Sequence, residues 1–223
     1  MVLKSKTGGA LSLSDGSGRN ERKGLGKWRR KVCEKSVKEQ LRGINLYFVG
    51  MMGVGKSTVG QLVAKELDYG FFDSDAVVEQ AAGRSVAEIF AQEGEGAFRE
   101  LESSVLSELA AYKQLVIATG GGMVLRSTNW GHMRQGLVIW LDLPVDPLYE
   151  RLRQDTQRPL LQTANPKQTL TELMKQRRSR YAQADLHIIT DPAASPRQTS
   201  LQVIEAIPSV LKKPEDQPHP PQE

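Results

Sequence analysis

Residues 44–67 read INLYFVGMMGVGKSTVGQLVAKEL, and three physical signals follow one another in them. Residues 44–49 form an apolar, β-branched and aromatic run with the length of a buried strand. Residues 57–67 carry Val59, Leu62, Val63, Ala64 and Leu67 on helical spacing. Between the two, the segment from Gly50 to Ser57 satisfies the pattern G-x-x-x-x-G-K-[ST] in full. Average residue frequencies produce such a match in roughly one per cent of chains this long. The glycines let successive backbone N–H groups turn inward around a phosphate chain, and the N-terminus of the following helix adds partial positive charge. Lys56 is then placed for the β- and γ-phosphates, and the Ser57 hydroxyl for Mg²⁺. Gly53, Val54, Gly55, Lys56, Ser57 and Thr58 are therefore the expected cradle of a nucleoside triphosphate, while Met51 and Met52 read as packing.

Outward from this segment the pattern alternates. Residues 70–73, 115–119, 137–141 and 186–190 read as further short strands. Helical patterns cover 75–82, 86–92, 96–111, 146–152, 168–184 and 196–211. Strands alternating with helices at this spacing predict a three-layer α/β domain, its parallel sheet covered on both faces.

The chain has 223 residues, 39 % hydrophobic and 25 % charged, which suits one domain of ordinary size with extensions. No apolar run approaches the roughly 20 residues of a membrane span. Cys33 stands alone, which excludes an intramolecular disulfide and every multi-cysteine metal cluster. A net charge of +4 and a pI near 9.2 suggest nucleic acid, but the charge is unevenly spread. Residues 1–43 hold 12 of the 30 basic and 4 of the 26 acidic residues, leaving 18 basic against 22 acidic in the remainder. The main body is thus mildly acidic, and neither a nucleic-acid nor a membrane partner is expected.

Residues 1–43 read as a disordered basic extension, because the Gly/Ser stretch 8–18 cannot bury enough apolar surface to offset ordering entropy. Within it, Trp28, Val32, Val37 and Leu41 are spaced for a short basic amphipathic helix, read as a solvated surface. Residues 44–212 form the expected domain, and 213–223, with Pro214, Pro218, Pro220 and Pro221, a disordered tail. No continuous apolar core of a secretory signal follows the first charges. A cytoplasmic monomer is the expectation. A plastid address in the Arg-rich, Ser-containing extension is the alternative. Removal of 1–43 is expected to leave activity intact.

The residues after the cradle decide what receives the phosphoryl group. The GTPase pattern N-K-x-D is absent and no large second domain is visible, which favours a small-molecule kinase. Asp73 and Asp75 end the second strand, where residues two apart point to one side. Both carboxylates are expected at the C-terminal sheet edge where α/β proteins bind ligands, with a helix cap at Asp73 or Ser74 as the plainer alternative. Arg99 and Glu102, three apart on a helix, are neighbours, so Glu102 is expected to orient Arg99 towards an anion. Gly120, Gly121 and Gly122 let backbone approach a ligand with no side chain between. Arg158-Pro-Leu-Leu161 lies in a polar stretch between helices and suits a mobile lid that carries a cation to the transferring group. Arg177, Arg178 and Arg180 precede Tyr181, and spacing alone does not choose among them. His132, His187 and His219 are isolated and are given no chemistry.

The order and spacing of these motifs, over about residues 43–211, resemble the shikimate kinase family. The motifs are GxxGxGKS, D-x-D after the second strand, F-R-x-x-E, G-G-G and R-P-L-L. The resemblance implies the nucleoside monophosphate kinase fold, a five-stranded parallel sheet of order 2-3-1-4-5 with a mobile lid. It implies transfer of the γ-phosphoryl of ATP, with Mg²⁺, to the 3-hydroxyl of shikimate on the route to chorismate and the aromatic amino acids. By it, Asp75 contacts the accepting hydroxyl as base, and Asp73 lies behind the metal's water. Arg99 and Arg177 hold the substrate carboxylate, and the Gly121 and Gly122 backbone meets the ring hydroxyls. Arg177 is preferred because it stands four before Tyr181. Arg158 contacts phosphate, and Arg151, seven before it, lies on the adenine side. The family's arginine after the last strand has no counterpart in residues 191–196, so adenine contact there is expected through the backbone. The rivals are a kinase of another small acid such as gluconate, and a non-catalytic nucleotide-responsive module. Intact Lys56, Ser57, Asp73, Asp75 and Arg158 argue against the second.

Overall fold

The computed structural model describes residues 36–153 and 159–211. Arg158, most of the basic extension and the C-terminal tail from 212 onwards therefore lie outside the described residues.

Five short strands, β1 (Leu46–Val49), β2 (Gly70–Asp73), β3 (Leu115–Ala118), β4 (Leu137–Asp142) and β5 (Leu186–Ile189), pair in the order β2-β3-β1-β4-β5, all parallel. This is the expected order 2-3-1-4-5. Every residue of β1, β3 and β4 is buried, as strands covered on both faces must be, whereas the edge strands alternate. The side chain of Asn45 sets the register of β1 on β3, donating to Tyr112 O at 2.8 Å and accepting from Leu115 N at 3.0 Å.

The helices are α1 (Val37–Leu41), α2 (Lys56–Leu67), α3 (Ser74–Ala82), α4 (Val86–Ala110), α5 (Ser127–Met133), α6 (Val145–Leu152), α7 (Pro166–Tyr181) and α8 (Pro196–Ala206). They cover both faces of the sheet. Helix α2 runs along β1, β2 and β3 and packs on α8, while α4 packs on α3 and α5, and α6 on α7. Several boundaries have local causes. A capping box of Ser85 and Glu88 starts α4, and one of Ser195 and Gln198 starts α8. The two helices expected at 86–92 and 96–111 form one element with a kink at Gly94, whose φ of 82° interrupts the helical backbone. The last helix was expected to run to 211. It stops at Ala206 and tightens into a 3₁₀ turn over Ile207–Ser209, because Pro208 has no N–H to continue the ladder.

One boundary of the expected extension shifts. Its final residues Val37–Leu41 are helical, and Leu41 is 1 % exposed within the core. Lys38 Nζ also pairs with Asp68 Oδ2 at 2.8 Å. The Leu41 side chain needs a partner surface, and the main body supplies it. Among the described residues no helix is long and apolar enough to cross a membrane.

Burial of one leucine is worth about 1.5–3 kcal/mol. Deleting residues 1–43 should therefore lower the thermal midpoint by roughly 5–10 °C relative to a chain starting at Ser36. Melting both truncations beside the full chain checks this.

Candidate functional site

The phosphate loop begins where the buried central strand β1 ends. Gly50, Gly53 and Gly55 all have positive φ, and Gly55, at 103°, is the residue immediately before α2. These turns close the loop around the N-terminus of α2. Lys56 folds back over it, donating from Nζ to Gly50 O at 3.0 Å and Met51 O at 2.9 Å. Met52, Gly53, Gly55, Lys56, Ser57 and Thr58 line a cavity of about 470 Å³ together with Asp73, Asp75, Gly120 and Gly121. The side chain of Val54 lies in the core instead, so only its main chain faces the loop.

The Ser57 hydroxyl donates to Asp73 Oδ2. With its proton held by Asp73, the Ser57 oxygen keeps its lone pairs for a hard cation. Among the described residues no cluster of three or more His, Cys, Asp or Glu is placed to hold a metal. A donor set this sparse suits Mg²⁺, which keeps several waters and takes further oxygens from phosphate.

Asp73 caps α3, accepting from Asp75 N at 3.0 Å through Oδ1. The capping alternative and the site reading thus hold for one residue. The strand argument for Asp75 fails in its letter, since Asp75 sits in the first turn of α3 and not on β2. It still meets the same cavity as Asp73, because the strand-to-helix turn brings the two together.

A second cavity, about 220 Å³, adjoins the first. Its polar residues include Asp75, Glu79, Arg99, Glu102 and Arg177, and Met52, Val86, Phe90, Phe98 and Leu160 supply apolar surface. Arg99 Nη1 pairs with Glu102 Oε2, as the three-residue spacing predicts, and both side chains are buried. Arg177 is 3 % exposed while Arg178 and Arg180 are exposed, so burial makes the choice that spacing left open. Arg177 Nη1 is buried without a hydrogen-bond partner among the described residues, as is Glu102 Oε1.

The three glycines make room for these groups. A Cβ on Gly120 would overlap Glu102 Oε1 and Asp75 Oδ1, and one on Gly122 would overlap the Arg99 guanidinium. Two residues that the sequence marks only as a possible cap and as a spacing partner hold the glycine turn. Ser74 Oγ accepts from Gly120 N at 2.9 Å, and the Tyr181 hydroxyl donates to Gly121 O at 2.7 Å. Burial pushes the Tyr181 hydroxyl up to about 12, which keeps it a donor. Only the i+4 spacing of Tyr181 from Arg177 hints at this role, and Ser74 is marked locally only as a possible helix cap, a part that Asp73 takes.

Arg151 is exposed and lines neither cavity; its Nη2 reaches Pro192 O at 3.4 Å, in the segment after β5 that lacks an arginine. His187 is not isolated, since it stacks on Trp140 and its Nε2 lies 3.0 Å from Asp142 Oδ2.

A phosphate loop on this sheet, opening onto a small cavity of carboxylates and arginines, defines a P-loop kinase of small molecules. The shikimate kinase family model matches residues 52–208, and the shikimate kinase of Nostoc sp. (strain PCC 7120) is 54 % identical over 173 residues, 78 % of this chain and 96 % of the other. The chain belongs to the shikimate kinase family. The shikimate kinase of Synechococcus elongatus is 50 % identical over 181 residues, 81 % of this chain and 95 % of its own. Among solved structures, shikimate kinase from Acinetobacter baumannii in complex with shikimate superposes with a TM-score of 0.74. It is 38 % identical, over 78 % of this chain and 97 % of that one.

Burial pushes the Glu102 carboxyl up to about 7 against the pull of Arg99, and nearby Asp75 pushes the same way. A raised carboxyl pKa means that the folded state holds a proton which the unfolded chain has released. Stability is therefore lost as pH rises from about 4.5 to about 7. Glu102→Gln cannot ionise and should lack this slope, so its stability relative to the parent should rise across that window. Denaturant melts of both proteins between pH 4.5 and 8 check it.

Proposed function

We propose that Asp75 is the residue at which the phosphoryl group changes hands, from ATP in the larger cavity to the 3-hydroxyl of shikimate in the smaller. The observation that carries this reading is shared lining: Met52, Asp75, Gly120 and Gly121 belong to both cavities. An acceptor hydroxyl beside Asp75 therefore faces the mouth of the phosphate loop. Phosphoryl transfer is mainly positioning and electrostatic stabilisation, so adjacency of this kind is the central requirement.

In this reading the Gly53–Thr58 main chain cradles the phosphates and Lys56 follows the charge on the β- and γ-oxygens. Ser57 would hold Mg²⁺ and Asp73 would reach it through water; the ion would supply neutralisation of the phosphate charge. Asp75 accepts the hydroxyl proton. Arg99 and Arg177 take the substrate carboxylate, with Arg177 Nη1 supplying an unused buried donor. Backbone at Gly121 and Gly122 meets the ring hydroxyls. Arg158, outside the described residues, is assigned to the transferring phosphate, and Arg151 with the Pro192 carbonyl to the adenine side. A cytoplasmic monomer is the working form, and a plastid address in the basic extension is the alternative.

A coupled ATP-consumption assay tests the substrate. Turnover is expected with shikimate and not with gluconate, and shikimate-independent turnover would overturn the reading. Asp75→Asn should lower kcat by roughly 10²–10⁴-fold with the KM for ATP nearly unchanged. Arg99→Ala should raise the KM for shikimate by at least about tenfold and spare that for ATP. Steady-state kinetics with each substrate varied in turn reads both.

A further inference from the structure

Arg99 is the cation assigned to the substrate carboxylate, yet two edges of its guanidinium are already taken. Nη1 pairs with Glu102, while Nε and Nη2 both reach Glu95 Oε1, at 3.2 and 2.8 Å. The Nε/Nη2 edge is one on which an arginine receives a carboxylate with two parallel donors. Glu95 therefore occupies a position that a substrate carboxylate would use.

The two glutamates differ in how firmly they are held. Glu102 has a side-chain exposure of 1 % and cannot leave without carrying a carboxylate through the core, whereas the Glu95 side chain is 52 % exposed. The pair is thus open to solvent on the Glu95 side only, where water can replace Arg99 as the partner of the carboxylate. The backbone around Glu95 is also permissive. Gly94 breaks α4 immediately before it, and a Cβ on Gly94 or on Gly96 would meet nothing within 4 Å. The Glu95 carboxylate can swing into water with no side chain to repack.

We propose that Glu95 is an internal competitor for Arg99 that sets the specificity of the cavity for acids. This rests on the reading of Arg99 as the carboxylate clamp. An entering carboxylate exchanges one Arg99–carboxylate pair for another and sends Glu95 into solvent. A neutral polyol has no charge with which to make the exchange, so Glu95 stays seated on Arg99. Between turnovers the same contact keeps Arg99 from standing as a partly compensated charge in a low-dielectric wall.

The test is Glu95→Gln, which keeps the shape and removes the charge, beside Arg99→Ala and the double variant. With the site reading correct, Arg99→Ala raises the KM for shikimate; an unchanged KM there would sink the clamp and this inference together. With the clamp standing, Glu95→Gln should lower the KM for shikimate by about three- to tenfold, a modest ion-pair effect. The kcat and the KM for ATP should not move. Shikimate methyl ester, which lacks the charge, should show no gain in inhibition constant. On the Arg99→Ala background Glu95→Gln should have no further effect. An unchanged or higher KM in Glu95→Gln would overturn the proposal and make Glu95 a support for Arg99. An equal gain for the methyl ester, or a gain that persists without Arg99, would overturn it in favour of a general field effect.

Discussion

A carboxylate buried to 1 % exposure must be compensated where it stands, and Glu102 is compensated by Arg99. That single pair dictates the composition of the cavity around it. The guanidinium and the carboxylate lie against the turn after β3, which is possible only because positions 120 and 122 carry no Cβ. A glycine turn held by nothing would be mobile, so Ser74 from α3 holds its first amide and Tyr181 from α7 its second carbonyl. Three elements far apart in sequence are thus locked onto one charge pair. Arg177, on the same helix as Tyr181, is carried to the cavity by that docking.

The sheet supplies the other half of the arrangement. β1 and β3 are neighbours, with Phe48 opposite Ala118, and β2 places Asp73 level with Ala118 from the other side. The loops leaving the C-terminal ends of these three strands therefore converge. Such an edge is the usual ligand position in open α/β sheets. One loop is the phosphate cradle, one caps α3 and presents Asp75, and one is the glycine turn. Membership of the shikimate kinase family fits this convergence, because a kinase of a small acid needs its phosphate cradle and its anion clamp to open onto one acceptor position.

Local patterns were legible wherever neighbours in sequence are neighbours in space. The five strands, the phosphate loop and the Arg99–Glu102 pair all rest on contacts within a few residues, and each was visible as period, turn chemistry or helical spacing. The placement of Asp75 departs from strand geometry, because the Asp73 cap starts α3 two residues before the alternation would end. The helical spacing of Val37 and Leu41 is legible, but their basic neighbours suggest a solvated extension, while the core surface that buries Leu41 lies elsewhere in the chain. The contacts of Ser74, Tyr181 and Glu95 were not legible for a like reason. Their partners Gly120 and Gly121 lie 46 and 60 residues away, and the Glu95–Arg99 contact looks like any helical ion pair until its exposure is known.

The amino-acid sequence by itself determined the class of fold and the chemistry at the phosphates, because both depend on short-range periodicity and on glycines that permit one backbone turn. Only the tertiary structure decided which arginine of the cluster at 177–180 is buried, which residues lock the glycine turn, and which carboxylate already occupies the clamp. Those outcomes depend on burial, and burial is a property of the whole packed chain, not of any segment within it.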